Sequence, residues 1–152
     1  MRDGMIFTSE SVTPGHPDKL CDRISDAAVD AFLQQDARAR AVVECAVATG
    51  IVFIAARFAA EAVIDLPSLA RGVIAEAGYV GEGFDARTCS ILTSISELPP
   101  EARAPDDKAS DEEHEVEALS ATEQANVFGY ATDETATLMP APLVIAHSLA
   151  RA

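Results

Sequence analysis

Residues Phe7–Lys19 read FTSESVTPGHPDK and run without a break into the periodic stretch LCDRISDAAVDAFLQQ at 20–35. Pro17 divides the two. Proline has no N–H to leave unpaired and its fixed φ suits a first helical turn, while Gly15 lets the chain turn freely before it. Beyond it, Leu20, Ile24, Ala27, Ala28, Ala31 and Phe32 recur at helical spacing, which predicts one apolar helix face ending near Gln35. Asp22, Asp26 and Asp30 share another face, and such a row of like charges reads as solvent-facing. The helix start combines His16, Asp18 and Lys19 with the free amides and positive dipole end of a first turn, a setting that favours an anion. His16 and Lys19 can donate to phosphate oxygens, and Asp18 can hold Mg²⁺ with a nucleotide as co-ligand. Residue types alone leave a second reading open: a helix cap carrying ordinary charges.

Further along, Val42–Ala48 alternates and is rich in β-branched residues, Thr49-Gly50 marks a tight turn, and Ile51–Phe58 follows, so a hairpin is predicted. Glu44 falls within its first strand, where a carboxylate needs water, a cation or a donor. Pro67 opens a second helix over Ser68–Ala77, with Leu69, Val73 and Ile74 on its buried side and Gly78 as its stop. Arg87–Ser96 alternates again as a third strand. Together these elements predict an α+β unit with helices layered on one face of a small sheet. No internal repeat is visible. Val127–Thr132 reads as a short strand, and Pro140-Ala141-Pro142 as the start of a helix over Leu143–Ala150. His147 on that helix has no partner at ligand spacing and reads as a packing or capping residue.

With 152 residues, 49% of them hydrophobic, the chain can bury a core. Its net charge of −14 argues against nucleic acid or an anionic membrane as partner. Half of that charge lies between Glu101 and Glu123, where nine acids meet only Arg103 and Lys108. From Glu97 to about Ala121 periodicity fades, and the segment reads as a mobile acidic loop. Cys21, Cys45 and Cys89 have no metal-type spacing and are read as buried thiols in a reducing compartment. Neither a signal peptide nor a membrane-length apolar run is visible, which predicts a cytoplasmic protein.

The stretch Phe7–Ala31, FTSESVTPGHPDKLCDRISDAAVDA, resembles the amino-terminal signature of S-adenosylmethionine synthetases, the methionine adenosyltransferases. Glu44 before Thr49-Gly50, Gly78-Tyr79-Val80, Gly83-Phe84-Asp85, Phe128-Gly129-Tyr130-Ala131-Thr132 and Met139-Pro140-Ala141-Pro142 continue the likeness in order. It implies the family's β-α-β-β-α-β domain, a small mixed sheet with helices on one face. The family's members are longer than this chain. The implied layout is therefore an amino-terminal domain at 1–97, an acidic loop at 98–122 equivalent to a gate, and the truncated start of a second domain at 123–152. By the resemblance, His16 contacts ATP and, with Lys19, serves catalysis, Asp18 is a Mg²⁺ ligand and Glu44 a K⁺ ligand. An edge or surface position would account for Glu44 without any ion. Family active sites lie between two subunits, so the resemblance implies a homo-oligomer or a synthetase-like partner chain, with ATP and L-methionine as substrates.

Three positions depart from the family pattern. Where its members place Gly-Gly-Glu to recognise methionine, this chain has Ala55-Ala56-Arg57, and a guanidinium repels the substrate's ammonium. The family's methionine-contacting glutamine aligns with Leu98. Its GAGDQG signature aligns with Ser120-Ala121-Thr122-Glu123-Gln124-Ala125, which has no glycine and carries the acid one methylene further out on Glu123. The sequence therefore supports a synthetase-like protein that is inactive as this chain alone. It leaves two competitors, a non-catalytic partner subunit and a pseudoenzyme whose site has decayed.

Overall fold

The computed structural model describes residues 6–81, 83–104 and 124–152. They divide into two compact units, Gly15–Leu119 and a smaller one made of Met1–Pro14 with Ser120–Ala152, so residues 105–123 fall outside the description of both. The acidic loop read from the sequence lies largely in those undescribed residues.

In the larger unit, α1 spans Pro17–Gln35, β1 Arg40–Ala48, β2 Ile51–Ala59, α2 Leu66–Glu76 and β3 Ser90–Glu97. The sheet order is β1-β2-β3, with β1 antiparallel to β2 and β2 parallel to β3. This is the mixed sheet of an α+β domain. Among the described residues the elements run α-β-β-α-β, with the small mixed sheet and packed helices of the synthetase amino-terminal fold. The Ala48↔Ile51 pair closes a two-residue turn, where Gly50 has φ +76°, a left-handed angle that suits glycine.

Both helices lie on one side of the sheet. Leu20, Ile24, Ala28 and Phe32 of α1 join Leu66, Ala70, Val73 and Ile74 of α2 and Val52, Ile54 and Ala56 of β2 in a single core. A fully buried side chain such as Leu20, Ile24 or Phe32 contributes roughly 1.5–3 kcal/mol from apolar transfer. The rings of Phe32 and Phe58 pack with centroids 4.5 Å apart, fixing the far end of α1 over β2. Asp22, Asp26 and Asp30 face solvent, as their spacing indicates.

The other side of the sheet is open. Here Val42 of β1, Ile51 and Phe53 of β2 and Leu92 of β3 keep between 43% and 55% of their surface exposed. On β3, Ile95 pairs with buried Ala56 yet remains 55% exposed.

A capping network joins the helix ends to the sheet. Asp36, the C-cap of α1, accepts from the backbone N–H groups of Arg38 and Glu61, both at 2.9 Å, and from Arg103 at 3.3 Å. Those amides, with Arg103 adding to them, hold its carboxyl below the usual carboxylate range. Arg103 also reaches Glu61 at 2.9 Å, and the Arg38 guanidinium donates to the Ala104 carbonyl at 2.9 Å. The segment after β3, which includes the short 3-10 turn Pro100–Ala102, is thereby anchored beside the end of α1.

In the smaller unit, helix α3 spans Ala141–Arg151. Its first N–H is capped by the Glu134 carboxylate at 3.0 Å. Residues 127–132 form no strand: Val127 and Phe128 are more than nine-tenths exposed, and among the described residues no neighbouring strand offers this short apolar run a ladder to join. Among the described residues His147 caps no helix end and is not part of the buried core. It is exposed, and its Nδ1 lies 2.7 Å from the Ser11 hydroxyl.

Candidate functional site: the amino-terminal turn of the first helix

His16 is the N-cap of α1, with extended backbone at φ −60° and ψ 135°. Its Nδ1 accepts from the Asp18 N–H at 3.2 Å. A ring nitrogen that accepts is unprotonated, so the neutral imidazole carries its proton on Nε2, which is left as a donor. Asp18 and Lys19 are exposed, and among the described residues neither side chain has a protein partner. One helical turn therefore presents an imidazole N–H, a carboxylate and an ammonium at the positive end of the helix dipole.

The approach to this turn is held from outside. The Tyr79 hydroxyl donates to the Gly15 carbonyl, and its ring meets Phe84 edge-on with centroids 5.1 Å apart. A side-chain carbon on Gly15 would come within 3.3 Å of that hydroxyl, so glycine there permits the close approach. The loop carrying Tyr79 is closed by buried Asp85, whose carboxylate accepts from the Gly81 N–H at 2.9 Å and the Arg87 N–H at 2.7 Å. It also accepts from the Arg87 guanidinium at 3.1 and 2.6 Å. Arg87, first through its guanidinium and then through its amide, holds the Asp85 carboxyl far below the ordinary range. Sequence reading assigned no role to Tyr79. Its partner is the carbonyl of a residue 64 positions earlier, and no spacing rule links them.

The remaining expected site residues lie elsewhere in this unit. Glu44 is exposed on the open face of the sheet, where a carboxylate needs no buried partner. Arg57 is exposed on that face opposite Val42 and forms no ion pair among the described residues. Leu98 is half-buried, and its N–H donates to the Phe58 carbonyl at 2.7 Å, continuing the β2–β3 ladder by one bond. Glu123 lies outside the described residues. Among those described, no group of three or more His, Cys, Asp or Glu is arranged to hold a metal ion. Asp18 alone still fits Mg²⁺, since that ion commonly takes one or two carboxylates and completes its shell with water and phosphate.

A family model described as the S-adenosylmethionine synthetase N-terminal domain matches residues 4–100, and the model for the central domain matches 118–152. The chain belongs to the S-adenosylmethionine synthetase family. S-adenosylmethionine synthases from two strains of Thermus thermophilus are each 45% identical to it over 159 aligned positions. Those alignments cover 98% of this chain and 40% of each relative, so this synthetase-family chain spans two-fifths of their length. The helix-start turn and the Tyr79 loop both lie within the amino-terminal match.

In the smaller unit, a hollow of about 430 Å³ is lined by Phe7, Tyr130, Pro140, Pro142 and Leu143, with Thr8 and Ser9. Its one charged lining residue, Glu134, is already engaged in capping α3. Among the described residues no helix is long and apolar enough to cross a membrane.

Proposed function

We propose that this chain carries the phosphate-binding side of a methionine adenosyltransferase and binds Mg·ATP at the start of α1. In the family reaction, ATP, L-methionine and water give S-adenosylmethionine, phosphate and pyrophosphate. The observation that carries the reading is the state of the first helical turn: the cap tautomer leaves the His16 Nε2–H as a donor, beside an exposed carboxylate and ammonium that no protein group engages among the described residues. When methionine sulfur attacks the 5′ carbon, the carbon–oxygen bond breaks and the triphosphate leaves with the electron pair. A donor and a cation already fixed beside the departing oxygens stabilise that growing charge without reorganising. His16 and Lys19 fill those roles. Asp18 would hold Mg²⁺ against the phosphates, and the ion would supply charge neutralisation there. Glu44, open to solvent on β1, is the candidate K⁺ ligand.

We further propose that the chain by itself does not complete the reaction. Arg57 opposes an ammonium, and Leu98 offers methionine no polar side chain, while its N–H is spent on Phe58. Calorimetry with Mg·ATP tests both statements. Binding is expected to require Mg²⁺ and to weaken about tenfold or more in His16→Ala, the loss of a charge-assisted hydrogen bond, and in Asp18→Asn, the loss of an anionic Mg²⁺ ligand. No S-adenosylmethionine should form. Affinity indifferent to Mg²⁺ and to both substitutions would overturn the binding claim, and turnover abolished by His16→Ala would overturn the claim of inactivity.

The open sheet face favours a companion reading, in which the chain works as a subunit docked to another copy or to a full-length synthetase in the cytoplasm. Four large apolar side chains and an arginine without an ion-pair partner among the described residues make a face that a lone protomer would leave wet. Arg57 would there meet a carboxylate or phosphate, which guanidinium binds in bidentate fashion. The high negative charge disfavours nucleic acid or membrane in that place. Recovery as a monomer with no co-purifying synthetase chain under mild conditions would count against this reading.

A further inference from the structure

Arg71 sits on α2 beside the buried stripe Leu66, Ala70, Val73, Ile74 and is itself half-buried. A guanidinium drawn partly out of water is usually paired with a carboxylate. Arg71 forms no ion pair among the described residues. Its Nη1 donates to the Ala86 carbonyl and its Nη2 to the Cys89 carbonyl at 3.0 Å, so the fork grips the backbone of the loop that leads into β3. Ala86 and Cys89 are both buried. Of the three cysteines only Cys89 meets the expectation of a buried thiol, since Cys21 and Cys45 are half-buried. The Ala86 N–H donates in turn to the Tyr79 carbonyl at 2.9 Å, closing the loop at its base. From the same residue the Tyr79 hydroxyl reaches the Gly15 carbonyl, one residue before the His16 cap. A continuous path of hydrogen bonds thus runs from the middle of α2 to the start of α1.

We propose that Arg71 is a positioning residue for the Mg·ATP site: by pinning the Ala86 and Cys89 carbonyls to α2 it sets where Tyr79 stands, and Tyr79 sets the entry of the chain into α1. Arg71 itself touches no proposed substrate position. What it supplies is preorganisation, since a donor set already fixed where the phosphates lie gives up less freedom on binding. Lysine is no equivalent there, because an ammonium is a single point of charge whereas the planar fork spans two carbonyls at once. Other contacts hold other parts of the same loop. Asp85 closes it from within, through Gly81 and Arg87. The Tyr79 N–H bonds the Ile74 carbonyl at 3.2 Å and fixes its near end, while Arg71 holds its far end. The effect on binding rests on the nucleotide reading; the placement of the turn does not.

Amide exchange and calorimetry on the full chain test it with Arg71→Met, which keeps much of the side chain's bulk and removes its donors. The amides that report the path are Ala86 on Tyr79, Asp18 on the His16 Nδ1, and Leu20 on the His16 carbonyl at 2.8 Å. Each should exchange severalfold faster in the variant, relative to the amides of Ile24 and Ala28 in the middle of α1. Mg·ATP affinity should fall severalfold. Arg71→Met combined with Tyr79→Phe should bind no more weakly than the weaker single variant, because the two residues act in series. Arg71→Lys should show the same pattern to a lesser degree, and it decides the matter if Arg71→Met fails to fold. Unchanged exchange at Asp18 and Leu20, an equal rise at every amide, or affinity losses that simply add would each overturn the positioning role. If the wild type binds no Mg·ATP, the nucleotide reading fails instead, and exchange alone decides whether Arg71 sets the turn.

Discussion

At the scale of single residues, the nucleotide proposal depends on how His16 is held, and Tyr79 governs that. Tyr79 touches no proposed substrate position. It fixes the Gly15 carbonyl, and hence the direction in which the chain enters α1. Tyr79→Phe removes one net hydrogen bond, worth about 1 kcal/mol, and keeps the ring packing on Phe84. The expected outcome is a small loss of stability in denaturant together with a severalfold weaker Mg·ATP affinity by calorimetry. An unchanged affinity would make Tyr79 purely structural. Asp85 bears on acid stability instead. Its folded-state pKa lies below the unfolded value, so the folded state binds fewer protons and the carboxylate's contribution is present in full above pH ~4. That contribution is lost as pH falls through the acid range. Asp85→Asn should therefore lower stability at neutral pH while flattening its decline below pH ~4, as urea unfolding at several pH values would measure. Asp36 and Asp65, both lowered chiefly by hydrogen bonds from neighbouring N–H or O–H groups, leave part of that decline in the variant.

Among the elements, the anchored segment after β3 offers the sharpest expectation. Arg103 bridges Asp36 and Glu61, and the Ala104 N–H donates to the Arg38 carbonyl at 2.9 Å. Arg103→Ala should speed hydrogen exchange at the Ala104 amide severalfold or more while the amides of β2 remain protected. Equal exchange in both proteins would mean that the Arg38 contacts hold the segment alone. The elements were also the most legible part of the sequence. Pro17 and Gln35 bound α1 where helical spacing put them, and Thr49-Gly50 turns the hairpin as expected. Those signals are local: a proline, a glycine and a period. Val127–Thr132 misled because apolar, strand-favouring residues say nothing about whether a neighbouring strand exists to pair with them. The His16 cap was readable from the motif, but Tyr79 on Gly15, Asp85 on Gly81 and Arg87, and Arg103 on Asp36 were not. Each except the Asp85 contacts joins residues far apart in the chain, and Asp85 reads as an ordinary exposed loop acid until its burial is known. Arg57 and Leu98 stood out only against the family pattern.

For the whole molecule, the one-sided sheet matters most. Phe53→Glu places a charge at the centre of the open face, where docking of another chain would bury it unpaired. If that face is where protomers meet, sedimentation should resolve an oligomer for the wild type and a monomer for the variant, with the same helical content in both. A second consequence follows from the parallel pairing of β2 with β3. Hairpin partners such as Ala48 and Ile51 are neighbours in sequence, whereas Ile51 must wait for Ser90, which α2 brings back alongside it. Closing that distance makes the third strand a late arrival during refolding. Until it arrives, β2 offers a bare row of amides and carbonyls to any extended segment nearby. Losses on refolding should thus climb with protein concentration and fall when β3 is helped to dock quickly.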